Sequence, residues 1–112
     1  MESILTSIKK LLGMTEDYDA FDTDIIIHIN SVFMILNQLG VGPIEGFRIE
    51  DESDVWTDFT SDALEIESVK TYIYLKVKLI FDPPSNSTVL EAYKEQIREL
   101  EWRLNVTVDP AK

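Results

Sequence analysis

The chain contains no cysteine and a single histidine, His28. Without thiols there is no disulfide framework and no cysteine-ligated zinc site, and the composition suits a reducing compartment. At helical spacing His28 meets Asp24 and Val32, which offers one carboxylate and no second imidazole. Two ligands are too few for a metal site, and no Ser-His-Asp set can be drawn. His28 therefore reads as a half-exposed or hydrogen-bonded helix residue. Long apolar runs are also missing, well short of the roughly 20 residues that cross a bilayer. The first ten residues lack the continuous apolar stretch and cleavage site of a secretory signal. The expectation is a soluble, non-secreted protein with no membrane partner, whose Asn86-Ser87-Thr88 and Asn105-Val106-Thr107 triplets are chance matches to a glycosylation signal.

Positive charge is the next scarcity. From Glu16 to Glu67 fourteen acidic residues face Arg48 alone, a balance of −13 inside a net charge of −11. A field of that sign repels phosphate backbones, which disfavours tight binding of DNA or RNA. An acidic wall that faces nucleic acid without gripping it stays open.

What is present is helical periodicity in a chain of 112 residues, the size of one domain. Ile4, Ile8, Leu11 and Leu12 share one face of a short helix over Glu2–Leu12, stopped by Gly13. Asp22 is placed to cap a second helix, Thr23–Leu39, with Phe21 and Ile26 spaced as a hydrophobic staple. That helix is apolar nearly all round, with Asp24, His28 and Ser31 as its polar stripe, and reads as the buried centre of a bundle. Gly40 ends it, and Val41 can fold back on Leu36. A third helix runs from Ser61 or Asp62, capped by the Asp62–Glu65 pair, to Phe81 before Asp82-Pro83-Pro84. Ile66, Val69, Ile73, Val77 and Ile80 form its stripe. A fourth opens at Ser87 or Thr88, where Thr88 and Glu91 match a capping box, and carries a heptad-like seam of Leu90, Tyr93, Ile97, Leu100 and Leu104. Between the second and third helices, Phe47–Ile49 and Val55-Trp56 suit either a small β-hairpin or an ordered loop pinned by Phe47, Trp56 and Phe59. The fold expected is mainly α. It is a four-helix bundle-like single domain over residues 1–105, with that hairpin as an option and an extended C-terminal tail over 106–112.

Catalytic chemistry finds little support. The Glu50-Asp51-Glu52-Ser53-Asp54 run lacks the central glycine and ligand spacing of a calcium loop. Gly40-Val41-Gly42 begins like a phosphate loop without its lysine. No pair of carboxylates can be assigned as acid and base. The reading is a protein that is not an enzyme, with no catalytic residues, no metal and no cofactor. Four helices of this length cannot enclose every aromatic side chain. Tyr72, Tyr74, Leu75 and Leu79 fall off the main stripe of the third helix, and surplus apolar surface marks contact with a partner.

Four pieces in this order, ESILTSIKKLLG, FDTDIIIHINSVFMILNQLGVGP, VKTYIYLKVKLIFDPP and ELEWRLN, resemble the head–tail connector (adaptor) proteins of tailed bacteriophages. The resemblance spans nearly the whole chain. It implies a virion protein, made and assembled in the host cytoplasm, that forms a homo-oligomeric ring of dodecameric type beneath the portal protein. Such a ring extends the DNA channel and carries the next neck, stopper or tail protein, while DNA passes without specific binding. Within that frame Glu50, Asp51, Glu52, Asp54, Trp56, Tyr72 and Tyr74 are candidate subunit or lumen contacts. Asn105, Val106, Thr107 and Val108 are candidates for docking on the portal by strand addition. The alternative is a small acidic inhibitor that mimics DNA and blocks a nucleic-acid-binding protein, suggested by the −13 segment.

Overall fold

Helices form here where nearby side chains or turns satisfy the backbone groups left over at helix ends. The computed structural model describes residues 2–108 and contains α1 (Ile4–Leu11), α2 (Asp22–Gln38), α3 (Trp56–Phe59), α4 (Ala63–Phe81) and α5 (Ser87–Val108). Ser3 caps α1 by accepting from Thr6 N at 3.2 Å. Asp62 caps α4 as expected, accepting from Leu64 N and Glu65 N at 3.0 and 3.3 Å. At α5 the cap is Asn86, whose Oδ1 accepts from Thr88 N at 2.8 Å and Val89 N at 3.2 Å, in place of the Thr88–Glu91 box. The C-terminus of α2 closes with two bonds, Gly40 N to Asn37 O (3.0 Å) and Val41 N to Leu36 O (2.8 Å). That pairing requires the left-handed Gly40, at φ 84°.

Asp22 is not the cap of α2. The helix begins at Asp22 itself with no side-chain cap, and the carboxylate lies 2.9 Å from Lys9 Nζ. Lys9 is buried, and its ammonium also donates to Glu16 O at 3.0 Å. A buried ammonium needs a counter-charge more than a surface helix needs a cap, so Asp22 is drawn to it.

The central helix is α4, not α2. Both α2 and α5 pack on α4, with little packing between themselves, and α1 wedges against α2 and α4. Val69, Ile73 and Val77 form one buried stripe of α4, while Tyr72 and Leu75 are buried on other sides. Tyr72 Oη donates to Glu101 Oε2 of α5 at 2.7 Å. The molecule is correspondingly flat, 43 × 36 × 20 Å. The α5 seam is as expected, with Ile97 and Leu104 buried and Leu90, Tyr93 and Leu100 half-buried.

Residues 41–55 form an ordered loop. Among the described residues the sole bridge is Ser3 with Val55, and no hairpin is present. The reason is Asn30, whose side-chain amide takes both backbone groups of Ile49 (Nδ2 to O at 3.0 Å, N to Oδ1 at 2.8 Å), as a strand neighbour would. Phe33, Phe47 and Phe59 pin the loop from the other side, with ring centroids 5.0 to 5.4 Å apart. The expected extended tail is also revised: α5 stays helical through Val108, and residues 109–112 lie outside the described residues. Among the described residues no helix is long and apolar enough to cross a membrane.

Candidate functional site

The acidic turn is built by its own carboxylates. Asp54 Oδ2 accepts from Glu50 N at 2.7 Å and from Asp51 N at 3.3 Å. Asp51 Oδ1 accepts from Ser53 N at 2.8 Å and from the Ser53 hydroxyl. The hydroxyl bond first, and the amide bond second, hold the Asp51 carboxyl below the usual carboxylate range. Buried Ile49 anchors one end of the turn, and Ile4 N donating to Asp54 O at 3.0 Å anchors the other. Glu50, Asp51 and Glu52 therefore project as an ordered, exposed anionic knuckle.

The remaining candidates are not gathered around that knuckle. Trp56 is buried beside it, its Nε1 donating to the equally buried Ser7 Oγ at 3.0 Å, with Lys70 Nζ 5.9 Å from the ring centroid. Tyr72 has no exposed surface. Both are consumed by the chain's own core: Tyr72 lies against α5 through Glu101, and Trp56 lies against Ser7 of α1 and Lys70 of α4. Tyr74 is half-buried and shares a hydrogen bond with Tyr93 of α5, and burial first, then that bond, raises its hydroxyl pKa. At the end of α5, Asn105 Nδ2 donates to Leu39 O at 3.2 Å and ties the C-termini of α5 and α2 together. Val106 is exposed.

Other exposed apolar surface went unread in the sequence. Ile27 and Met34 lie seven residues apart on the face of α2 opposite Ile25, Ile29 and Leu36, and are 55 % and 67 % exposed. With Phe47 and Arg48 of the loop they line a groove of about 630 Å³. On the outer face of α5, Trp102 is 68 % exposed. The usable signal for the first was that α2 is apolar all round. For the second it was that Trp102 falls off the seam.

Compared with protein families, the chain matches the model described as phage connector protein over residues 4–111. Comparison with curated proteins and with solved structures returns no match.

Proposed function

We take as premise that this chain belongs to the phage connector protein family, with the structural head–tail role in the virion that membership carries, and propose that it acts as a ring beneath the portal. The observation that carries the reading is the family match over residues 4–111, nearly the whole chain. In this reading copies of the chain extend the DNA channel, and the Glu50–Asp54 knuckle faces the lumen or the adjoining subunit. Exposed carboxylates repel phosphates over roughly 8 Å at physiological salt, so DNA slides past without being held. The knuckle suits that task because two of its carboxylates, Asp51 and Asp54, are fixed by backbone amides and hold the turn in shape. Tyr74 is the aromatic candidate for a subunit contact. The end of α5, from Asn105 through Val108, with the residues after it, is the portal-docking element, presented as helix through Val108.

The test is complementation. A phage lacking the gene should yield DNA-filled heads without tails, and supplying the chain in trans should restore tailed, infectious particles. A protein truncated after Asn105 should fold normally by circular dichroism yet fail to restore tail joining. Normal tail joining by that truncation removes the docking role. Tailed particles without any copy of the chain remove the connector reading altogether.

A further inference from the structure

Two exposed apolar features are left uncovered by this fold. One is concave: the groove along the outer face of α2, floored by Ile27, Met34 and Phe47. The other is convex: Trp102, standing out from α5 on the side away from α4. Both α2 and α5 pack on α4 and scarcely on each other. In the folded chain Trp102 is exposed and is not part of the groove's lining.

We propose that Trp102 of one copy fills the Ile27–Met34–Phe47 groove of the next, forming a head-to-tail contact between identical chains. The inference rests on the connector reading for its place in the virion and supplies the lateral interface. Size agrees, since a groove of about 630 Å³ accommodates an indole with neighbouring side chains to spare. Charge agrees as well. Arg48, the sole cation between Glu16 and Glu67, lines the groove with no carboxylate partner among the described residues, and Glu45 lines it too. Trp102 is flanked one turn back by Glu99 and Arg98, the complementary pair. Glu99 and Arg98 are engaged within α5 through exposed ion pairs with Arg103 and Glu95, which are weak enough to exchange partners. An interface joining two different patches of one chain propagates, closing to a ring when its rotation allows. Tryptophan is enriched among binding hot spots, which cluster in well-packed pockets.

The absence of cysteine makes the test direct. Arg98→Cys, one turn before Trp102, and Ser31→Cys, in the groove wall between Ile27 and Met34, are made separately at exposed positions so that Trp102 and Met34 themselves stay in place. Both are treated with a short bismaleimide, as concentrated purified protein and in complemented particles. An equal mixture should yield linked pairs containing one of each variant, and neither variant alone should link to itself. The double variant should give a ladder of dimers, trimers and higher species. Trp102→Ala should keep its helical circular dichroism while self-association weakens at least about 30-fold by sedimentation. Self-linking of a single variant, which marks a two-fold contact, overturns the proposal, as does an unlinked mixture in both preparations. If the wild-type chain restores tails while the ladder is missing, the interface fails and the connector reading stands. If complementation fails while purified protein gives the ladder, the reverse holds.

Discussion

At Asn30 the side-chain amide donates to Ile49 O and accepts from Ile49 N, replacing a strand neighbour with one side chain. Asn30→Ala should cost about 2–4 kcal/mol, because both backbone groups of buried Ile49 lose their partner. Asn30→Asp should cost no less, since its carboxylate still accepts from Ile49 N but sets a charged acceptor against Ile49 O. Urea unfolding midpoints check both, and a nearly neutral Asn30→Asp would contradict the account. Tyr72 makes the matching contact on the other flank. Tyr72→Phe should cost about 1.5–3 kcal/mol through its lost bond to Glu101. Burial first, and Glu101 second, push the Tyr72 hydroxyl well above the ordinary tyrosine range. The neutral hydroxyl thus belongs to the folded state. Its contribution is complete below pH about 10 and is lost as pH rises through the higher folded value. The stability gap between wild type and Tyr72→Phe should therefore narrow in alkali, and a gap that widened would refute the assignment.

Among the elements, the helix ends and the loop differ in how tightly they are specified. Removing the α5 cap with Asn86→Ala should cost about 1 kcal/mol. Gly42→Ala should cost about 3 kcal/mol, for two separate reasons. Gly42 holds φ at 89°, and an added Cβ would fall 2.4 Å from Phe59 Cε1. Thermal unfolding of the two variants checks the ranking, which reverses if the loop is loosely held. The same elements show what was legible. The seam of α5, the Asp62 cap and the Gly40 stop could all be read, because each depends on residues within about two turns. The choice of α4 as central helix could not. It depends on which apolar faces meet, and α2 was the more apolar candidate by composition. The Lys9–Asp22 pair escaped for the same reason, since Asp22 already had an adequate local role as a cap and Lys9 lies on a different helix.

For the molecule as a whole, charge is the dominant quantity. A net −11 carried on a flat 43 × 36 × 20 Å body repels itself, so added salt should raise the melting temperature of the free chain at neutral pH. A chain held mainly by surface ion pairs would respond in the opposite sense, which calorimetry distinguishes. Acid acts through a different set of contacts. The Lys70 hydrogen bond, 2.8 Å long, holds Glu2 below its ordinary pKa. That carboxylate's contribution is present above pH about 4.5 and disappears as pH falls through the lower folded value. Substituting Lys70→Met should remove this acid dependence along with the tie between the N-terminus and α4. In a gel-shift assay at about 0.15 M salt the chain should leave duplex DNA unretarded.

The exposure of the acidic turn was legible because a run of carboxylates with no nearby cation has to reach water. The burial of Trp56 and Tyr72 was not, because an aromatic side chain outside a recognised stripe looks identical whether the chain's own core covers it or a partner does. By itself the sequence determined the four longer helices, though not the short α3, together with most of their ends, the sign and position of the charge, and the family resemblance. All of these follow from residues close together in the chain or from the order of motifs. Only the tertiary structure decided which apolar side chains remained uncovered, leaving Ile27, Met34 and Trp102 outside while Trp56 and Tyr72 went in. Burial is settled by which faces meet across long stretches of chain, and local periodicity carries no record of that meeting.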